Sequence, residues 1–504
     1  MFIFILLIAP TVPIMKSLKV DTSYQIIQNE AQTSSSGNWT ERQKLHPFDQ
    51  TDFFGASISF SGDTALLGAP GDNNYTGAVY VFTRSGTNWT QQQKLLASDG
   101  AGMDQFGISI SLAGDTALIG TVGDDTYTGS AYIFTRTGTT WAQQAKLIAP
   151  DREPYDNYGS AVCLVDDTAL IGSYGDDDNG TESGSAYVFT RTRTTWILQA
   201  KLLASDGAPH DLYGFSVSLS DDTALIGARG DDDNGDGSGS TYVLTRTGTS
   251  WAQHAKLIAP DGAPDDNFGY SISLDGDTAF IGAHADNENG NYSGSMYVFI
   301  RNGTSWTQQQ KLLPSDGAAY DYFGQSVSLS GDTAFIGAHG DDDNGNFSGS
   351  VYVFTRIDTI WTQQQKLHAS VSIPYQFFGR SVSLDGDTAI VGASYDTAYV
   401  FVKQSEAPHL EINLYGGIGV NADIRYIGTE NSISVNWEIQ VKGNILGLIH
   451  RNASGAIVIQ NGESRWVSTG LFLGLGPFTI IARANDQEKT ATGIIFLFYV
   501  IVLT

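Results

Sequence analysis

The sequence is built on a repeat whose most regular marker is an aromatic residue followed by glycine. Seven such pairs occur, and successive pairs are 52, 52, 55, 55, 55 and 55 residues apart. The pairs are Phe54-Gly55, Phe106-Gly107, Tyr158-Gly159, Tyr213-Gly214, Phe268-Gly269, Phe323-Gly324 and Phe378-Gly379. A repeat of this order, slightly longer than the roughly 20–50 residues of most repeat folds, is typical of folds in which each unit buries its faces against copies of itself.

The copy at residues 323–367 shows what one unit contains. Gln325–Leu329 alternates polar and apolar residues, Thr333–Ala338 is small and apolar, and Val351–Arg356 alternates again. These patterns predict strands, the second of them buried. Trp361–Leu367 is the most polar run, which fits an outer edge strand that faces water. Each unit is therefore predicted to be a four-stranded meander.

The seventh copy lacks its fourth strand, because the repeat stops after Ala398–Gln404. A matching segment, Asn38–Leu45 with Trp39, precedes the first copy. We therefore predict an all-β chain with a seven-bladed β-propeller closed by an N-terminal edge strand. An open solenoid is the alternative, but it would leave the segment at Trp39 without a role.

The repeat also resembles a known family. Phe54-Gly55 followed by Gly68-Ala69-Pro70 is similar to the FG-GAP repeat, the propeller repeat of integrin alpha-chain heads and of many secreted microbial proteins. Later copies keep Gly-Ala, as in Gly337-Ala338, without the proline. The resemblance covers residues 38–404. It implies a propeller that works in the secreted or cell-surface compartment, and it suggests adhesion by analogy.

Composition excludes some partners. The formal charge is −27, from 27 basic and 54 acidic residues. Nucleic acid and anionic lipid both require a basic surface, so neither is an expected partner. The 41% share of hydrophobic residues indicates a folded chain rather than a disordered one.

The N-terminal residues are predicted to precede the fold. Residues 1–20 form a signal peptide or short hydrophobic leader, with a membrane anchor or a misassigned start as alternatives. Residues 21–37 are a polar linker, residues 38–404 form the propeller, with blades starting near 54, 106, 158, 213, 268, 323 and 378, and residues 405–409 are a second linker. Eight Asn-x-Ser/Thr sequences predict a glycoprotein. Their asparagines are Asn38, Asn74, Asn88, Asn179, Asn291, Asn302, Asn346 and Asn452.

Residues 410–504 lie outside the repeat and are predicted to form a β-sandwich. Strand-like runs occur at 419–427, 432–441, 445–450, 456–459, 464–473, 478–483 and 494–503. The segment GGIGVNADIRYIGTENSISVNWEIQVKG resembles the Ig-like module of secreted microbial FG-GAP proteins. The apolar tail matches the closing strand of such modules, and a lipid-anchor signal is the alternative.

One end of the propeller is predicted to be acidic. In this topology the strand 2–3 loops and the connections between blades share one end, and both sets are rich in aspartate. Clustered carboxylate and amide oxygens are typical Ca²⁺ ligands. The candidates are Asp231, Asp232, Asn234, Asp236, Asp341, Asp343, Asp176 and Asp178.

Two observations weaken the calcium hypothesis. Asp232-x-Asn234-x-Asp236 begins like a calcium loop, but the twelfth position is Val243 instead of Glu. Integrin-type propellers carry their calcium loops between strands 1 and 2, where this chain has tight turns, so those sites cannot be transferred. The alternative is that Asp and Asn cap turns through side-chain-to-backbone hydrogen bonds.

Three further residues, Arg229, His284 and His339, occupy one variable position in neighbouring copies and are predicted to face a ligand. Arg229-Gly230-Asp231 spells an integrin-binding tripeptide, but it is most simply explained as part of the repeat. The single cysteine, Cys163, is predicted to be buried and inert. No nucleophile–base set, zinc spacing or phosphate loop stands out, so we do not predict an enzyme.

The sequence therefore predicts an extracellular or cell-surface protein that binds or adheres without catalysis. Its partner would be a protein or a glycan at a cell surface, held by the acidic loops, with Ca²⁺ as the one expected cofactor. A structural component of a surface layer is the alternative. A secreted hydrolase acting on glycans is the more distant one.

Overall fold

The computed structural model describes residues 38–49, 51–394 and 396–404 of the repeat region. In the C-terminal part it describes 409–415, 421–427, 432–443, 449–460, 463–468, 474–484, 487–497 and 499–503. The predicted leader at 1–20, the linker at 21–37 and residues 405–408 of the second linker lie outside the described residues.

Residues 38–404 form seven four-stranded antiparallel sheets, the blades. Blade 1 consists of Ile58–Ser61, Thr64–Ala69, Ala78–Ser85 and Asn88–Leu95, and blade 2 of Ser109–Ala113, Thr116–Thr121, Ser130–Thr137 and Thr140–Leu147. Blade 3 consists of Tyr158–Val165, Thr168–Ser173, Ser185–Thr192 and Thr195–Leu202, and blade 4 of Tyr213–Ser220, Thr223–Ala228, Ser240–Thr247 and Ser250–Leu257. Blade 5 consists of Phe268–Asp275, Thr278–Ala283, Ser295–Asn302 and Ser305–Leu312, and blade 6 of Ser326–Ser330, Thr333–Ala338, Ser350–Ile357 and Ile360–Leu367. Two four-residue helical turns, Asp72–Tyr75 and Asp124–Tyr127, lie in the strand 2–3 loops of blades 1 and 2.

The N-terminal strand completes the last blade. Blade 7 consists of Val382–Asp385, Thr388–Ala393, Thr397–Lys403 and the N-terminal strand Trp39–Leu45. Trp39 lies opposite Lys403 in the antiparallel register, and its ring packs at 4.7 Å on Phe335 of blade 6. The first strands of blades 1 and 7 contact each other, so the ring is closed. The predicted propeller and its closure are confirmed, and an open solenoid is excluded.

The hydrophobic core lies between the blades. Strand 2 of nearly every blade is buried along its whole length, as its small apolar sequence predicts. One cluster combines Val79 and Val81 of blade 1 with Tyr132 and Trp141 of blade 2, and the other clusters repeat this arrangement. Since each cluster draws on two blades, no blade has a complete core without its neighbour. The repeated Trp and Tyr residues therefore pack between blades.

Glycines allow the inner strands of neighbouring blades to approach closely. Gly107 has φ +89°, a conformation that non-glycine residues rarely adopt. A Cβ atom on Gly68 of blade 1 would overlap the carbonyl oxygen of Gly107 in blade 2. The hydroxyl of Ser57 donates a 2.7 Å hydrogen bond to that carbonyl oxygen. The two glycines of the repeat are therefore the two sides of one contact between blades.

The polar outer strands are more than a solvent-facing edge. In Trp39–Leu45, the side-chain amide of Gln43 donates to the carbonyl of Trp89 at 2.7 Å, and its oxygen accepts from the Trp89 N–H at 2.8 Å. Gln93, Gln310 and Gln365 form the same pair of hydrogen bonds with the tryptophan of the next blade. The expectation of an edge that simply faces water is therefore incomplete, because these glutamines join neighbouring blades.

The described C-terminal residues form two antiparallel sheets. One contains His409–Tyr415, Asn421–Ile427 and Ser464–Ser468, and the other contains Ile449–Gln460, Ser432–Gly443, Gly474–Ala484, Gln487–Leu497 and Tyr499–Leu503 in spatial order. Ile412 and Ile424 of the first sheet share a core with Val435 and Ile439 of the second, which is the packing of a β-sandwich. The Ig-like assignment stays a prediction. Among the described residues, none of the helices has the length and hydropathy needed to span a bilayer.

The strand prediction for this domain differs from the structure in three places. The strand His409–Tyr415 was not predicted. Of the predicted run 445–450, only residues 449 and 450 are described, and they belong to the same strand as the predicted run 456–459, Ile449–Gln460. The polar and small residues 451–455 of this strand interrupted the sequence pattern. The predicted run 494–503 is divided between two strands, Gln487–Leu497 and Tyr499–Leu503, which pair with each other.

The role of Trp39 in closing the propeller ring can be tested by mutation. Replacing Trp39 by Ala should lower the free energy of unfolding by about 3–5 kcal/mol, because it empties a buried contact between blades 7 and 6. Chemical unfolding followed by fluorescence measures the change. The matched control is Phe48→Ala, since Phe48 follows the same strand and is 84% exposed, and it should change stability by less than about 0.5 kcal/mol. Equal effects of the two variants would contradict closure by Trp39.

Candidate functional site

One end of the propeller, here called the loop face, carries both the strand 2–3 loops and the connections between blades. Isolated parallel bridges link the two sets, as between Gly77 and Phe106 and between Gly184 and Tyr213. Each strand 2–3 loop is thus attached to the chain segment that enters the next blade. The loop face is a continuous hydrogen-bonded surface rather than a set of independent loops.

A lysine from the outer strand organises the carboxylates of each loop. In blade 4, the Nζ atom of Lys256 lies 2.9 Å from Asp206, 2.7 Å from Asp231 and 2.6 Å from Asp233. The Tyr242 hydroxyl lies 2.9 Å from a carboxylate oxygen of both Asp206 and Asp231. Asp231 is buried and also accepts a hydrogen bond from the Ser240 hydroxyl. We call this arrangement a lysine cage.

The lysine cage recurs in blades 1–6. Three carboxylates surround the lysine in blades 3–6, and two surround it in blades 1 and 2. Its lysines are Lys94, Lys146, Lys201, Lys256, Lys311 and Lys366. Burial alone would raise the pKa of Asp206, but hydrogen bonds from Lys256 and Tyr242 outweigh it and hold that pKa below its ordinary value. The cages are therefore ionised networks that stabilise the loops.

Five of the eight residues predicted to bind calcium belong to these cages. Asp176, Asp231 and Asp341 are the buried members of three cages, and Asp178 and Asp343 are their exposed members. The remaining three lie in the blade 4 loop. Asp232 accepts from the Gly237 N–H, Asn234 donates to the Ala259 carbonyl, and the side chain of Asp236 is exposed.

The predicted calcium ligands do not fit a calcium site as they are arranged. An ammonium group already lies between the carboxylates, and Asp232, Asn234 and Asp236 contact different partners. Within the described ranges, no group of three or more His, Cys, Asp and Glu side chains has the arrangement of a metal site. The turn-capping alternative describes Asp232 well. Calcium binding stays a prediction that a titration tests.

A second set of buried carboxyls lies beneath the loop face. Asp211 is 3% exposed, and its Oδ2 accepts the Ala208 N–H at 2.7 Å. Burial, reinforced by the negative charge of Asp231, raises the pKa of Asp211 to about 6. Asp156, Asp266 and Asp321 have pKa values raised to about 6 for the same reasons. Blade 7 has the neutral side chain of Gln376 at this position, and it donates to the Tyr399 hydroxyl.

The structure brings the predicted ligand-facing residues together at the propeller axis. We define the channel mouth as the positions that follow the aromatic-Gly pair and strand 2 in each copy. The residues are Ala56, Pro70, Ile108, Val122, Ser160, Tyr174, Phe215, Arg229, Tyr270, His284, Gln325, His339, Arg380 and Ser394. Because the first strands of neighbouring blades contact each other around the ring, these positions surround the axis on the loop face.

Stacked rings run through the channel mouth from blade to blade. Phe215 packs on Tyr270 at 5.1 Å, and Tyr270 packs on His284 at 3.7 Å. Tyr322 continues the series, 5.9 Å from His284 and 5.1 Å from His339. The guanidinium of Arg229 lies 4.3 Å from the ring centre of Phe215. Arg229 is thus withdrawn into the mouth and Asp231 into a lysine cage, so Arg229-Gly230-Asp231 is not an exposed tripeptide.

Both histidines of the mouth are neutral. Burial, with nearby Arg229 and His339, lowers the pKa of His284 to about 3. Burial, with nearby Arg380, lowers the pKa of His339 to about 4. The mouth therefore keeps its guanidinium charges but carries uncharged imidazoles across the physiological range.

The sequence analysis missed a group of aromatic pairs on the loop face. Tyr127 stacks on Tyr155 at 6.2 Å, Tyr292 on Tyr320 at 5.9 Å, and Phe347 on Tyr375 at 5.9 Å. We call these three pairs the aromatic rim. Each pair joins a strand 2–3 loop to the connection that enters the next blade. Its signal in the sequence is an aromatic residue three positions before the aromatic-Gly pair.

Two features distinguish the aromatic rim from core packing: most of its tyrosines are exposed, and the pairs are missing at some junctions between blades. Tyr155 is 64% exposed, and Tyr320 and Tyr375 are each 48% exposed. Between blades 3 and 4 the corresponding positions hold Glu182 and His210, which lie 3.1 Å apart. The rim therefore occupies only part of the loop face, which makes that face asymmetric despite the repeat.

The predicted glycosylation sites are accessible where the structure describes their side chains. Seven of the asparagines are exposed: Asn38, Asn74, Asn88, Asn179, Asn291, Asn302 and Asn346. Asn452 lies on the strand Ile449–Gln460, and its side chain is outside the described residues. Glycosylation stays a prediction.

Cys163 lies between blades 3 and 4 and packs against their hydrophobic core. Burial raises the pKa of its thiol to about 11, so the reactive thiolate is disfavoured. Cys163 is half-buried rather than fully buried as predicted, and its raised pKa agrees with the predicted inert thiol.

Comparison with known proteins identifies the family. The description "FG-GAP repeat" matches seven segments, at residues 39–82, 89–134, 141–189, 196–244, 251–299, 306–354 and 361–407. They cover more than half of the sequence, and each spans the outer strand of one blade and the first three strands of the next. The chain belongs to the FG-GAP repeat family and is a seven-bladed propeller of that family.

Two human relatives are similar over part of the chain. Integrin alpha-D is 25% identical over 254 residues, which are 45% of this chain and 21% of the integrin. Integrin alpha-X is 24% identical over 276 residues, which are 49% of this chain and 22% of the integrin. The chain therefore matches only about a fifth of the length of each relative.

The buried carboxyls predict how stability depends on pH. Because the folded pKa of Asp211 is raised, the folded state binds more protons than the unfolded state between about pH 4 and pH 6, and stability falls as pH rises through that window. Asp211→Asn should flatten this fall and raise the free energy of unfolding at pH 7 by about 1–2 kcal/mol. Urea unfolding at several pH values measures it. The control is Asp265→Asn, because Asp265 is the exposed residue next to Asp266, which is the equivalent of Asp211 in the following connection. A fall of stability with pH that is unchanged in Asp211→Asn would contradict the assignment.

A titration tests the calcium hypothesis. Since the Lys256 ammonium already lies between its three carboxylates, Ca²⁺ should leave the melting temperature of the full chain unchanged. Lys256→Met leaves three carboxylates without a cation, so Ca²⁺ should raise the melting temperature of that variant. A rise in the unmodified chain that Asp231→Asn abolishes would instead support a native calcium site.

Proposed function

We propose that this chain is a non-catalytic binding module of the cell surface or extracellular space, and that its loop face holds a protein partner. The observation that carries the proposal is the placement of exposed aromatic residues. The most exposed aromatic side chains of the described propeller are Phe48, Phe53, Tyr75, Tyr155, Tyr292, Tyr320 and Tyr375, and all of them lie on the loop face.

Exposed tyrosines at one end of a propeller favour protein recognition. Tyrosine offers a large apolar surface and a hydroxyl, loses little side-chain entropy on binding, and is enriched at protein interfaces. Stacking within each pair of the aromatic rim restricts the rings before a partner arrives. The rim would therefore bind with a small ordering cost.

The lysine cages support a preformed surface. Each cage fixes a strand 2–3 loop to an outer strand and to a connection between blades, as Lys256 does with Asp231 and Asp206. The repeated aspartates thus have structural partners, which supports a non-catalytic role over a glycosidase pair. Similarity to integrin alpha chains over part of their length supports the extracellular or cell-surface setting. Calcium assistance stays a prediction.

A binding assay tests the proposal. The full chain is screened against immobilised secreted and cell-surface proteins, and a partner is then measured with a triple variant, Tyr155→Ser, Tyr320→Ser and Tyr375→Ser. We expect affinity to fall at least about 10-fold, since buried interface tyrosines commonly contribute more than about 1 kcal/mol each.

The opposite end of the propeller supplies the matched control. Ile357 and Ile360 are 49% and 59% exposed in the strand 3–4 turn of blade 6. Changing both to Ser should leave binding unchanged. If the isoleucine variant loses binding and the tyrosine variant binds normally, the partner binds at the end opposite the loop face, which would contradict the proposal. Stable self-association through either end would favour the surface-layer alternative.

A further inference from the structure

Two arginines at the channel mouth lack the partners that other arginines of the propeller have. In each of blades 1–6 an arginine at the end of strand 3 forms an ion pair with the aspartate of its own strand 1–2 turn, as Arg356 does with Asp332 at 2.7 Å. Arg229 instead donates to the neutral Asn267 side chain, at 2.9 Å, and lies over Phe215. Arg380 lies over the Phe53 ring at 5.7 Å.

The guanidinium of Arg380 has no acceptor among the described residues. It forms neither an ion pair nor a side-chain hydrogen bond with them, and burial lowers its pKa. A charge that is partly removed from water without a counter-ion costs free energy. An anion from a bound partner would supply the missing counter-ion. A guanidinium pairs with a carboxylate through two parallel N–H donors.

The histidines of the mouth add uncharged donors. The Nδ1 atoms of His284 and His339 are buried without a hydrogen-bond partner, as is the Nε atom of Arg229. A neutral imidazole carries one proton, and a buried N–H without an acceptor is less tolerable than a buried lone pair. The proton of each ring is therefore assigned to Nε2, the less enclosed nitrogen. Two N–H donors and two guanidinium groups thus line the channel mouth on the side of blades 4–7.

The electrostatic interactions connect these groups across several blades. Arg229 of blade 4 acts on His284, and Arg380 of blade 7 acts on His339 and is itself influenced by Tyr270 of blade 5. Blades 1 and 2 contribute only Ala56, Pro70, Ile108 and Val122 to the mouth. The mouth is therefore polar and cationic on one side and apolar on the other.

The surroundings of the mouth have the opposite charge. The lysine cages of blades 3–6 each contain three carboxylates and one ammonium, which leaves a net charge of −2 per cage. A ring of negative charge thus encloses a small positive centre. Because complementary potentials set the register of a complex, the matching surface is basic at its edge with one acidic group in the middle.

We infer that the channel mouth binds the carboxylate of a single Asp or Glu side chain presented by a basic segment of the protein partner. Arg380 and Arg229 are the binding residues, His284 and His339 donate additional hydrogen bonds, and Phe215 and Tyr270 enclose the methylene groups. This inference rests on the proposed function, which supplies a protein partner at the loop face.

A pair of synthetic peptides tests the inference on the full chain. The probes are acetyl-Lys-Gly-Glu-Gly-Lys-amide and its isosteric Gln counterpart, and ligand-observed NMR measures their dissociation constants. We expect the Glu peptide to bind at least about 5-fold more tightly, as a charge-assisted hydrogen bond to arginine requires. This comparison uses the unmodified protein and does not depend on the folding of a variant. Equal binding of the two peptides, or binding of neither, would overturn the inference.

Arginine variants test whether the preference for the Glu peptide arises at the channel mouth. Arg380→Gln and Arg229→Gln should each reduce the Glu preference to less than about 2-fold, since each removes a charged donor. Arg193→Gln is the matched control, because Arg193 is exposed in a strand 3–4 turn at the opposite end. A Glu preference that survives in both mouth variants would overturn the inference. The tyrosine variants test the proposed function separately, because their readout is the whole partner rather than the carboxylate.

Discussion

The close contact between two glycines of neighbouring blades is the constraint on which the rest of this propeller depends. Gly68 lies against the backbone of Gly107, and the last junction repeats the contact between Gly392 and Gly55. A side chain at either position would push the inner strands apart and open the ring. Because the inner strands meet this closely, the strand ends converge at the axis, and residues from different blades can form one channel mouth. The contact that closes the fold thus also creates the site.

Charge is organised by a second repeated device, the lysine cage. Lys256 is held by carboxylates from the strand 2–3 loop of its own blade and from the connection that enters this blade. A lysine is held in the same way in each of blades 1–6. A buried aspartate such as Asp231 would be costly alone, but the ammonium, the Tyr242 hydroxyl and Ser240 together satisfy it. Much of the acidic composition therefore serves the loop scaffold, and only its net excess is left to act on a partner.

Features that repeat at a regular spacing along the chain were predictable from the sequence. Contacts between residues that are far apart in the sequence were not. The spacing of the aromatic-Gly pairs and the unmatched segment at Trp39 predicted seven blades and their closure. The cages were missed because Lys256 and Asp206 are 50 residues apart and the lysine looked like an ordinary solvent-facing residue. Gln43 was interpreted in the same way, although it bonds to the next blade. Arg229, His284 and His339 were found because they vary at one position, whereas Arg380 varies at a different position of the copy and was overlooked.

The distribution of variation among the copies separates scaffold from recognition. Glycines, cage lysines and buried tyrosines recur from blade to blade because every junction must satisfy the same packing and charge constraints. Positions at the channel mouth and in the aromatic rim differ between blades, so the packing that every junction repeats does not fix their side chains. A seven-fold surface could not orient a partner, since each rotation by one blade would present the same contacts. The cationic side of the mouth and the interrupted rim at Glu182 and His210 remove that degeneracy, which gives the loop face one preferred orientation for the molecule it binds.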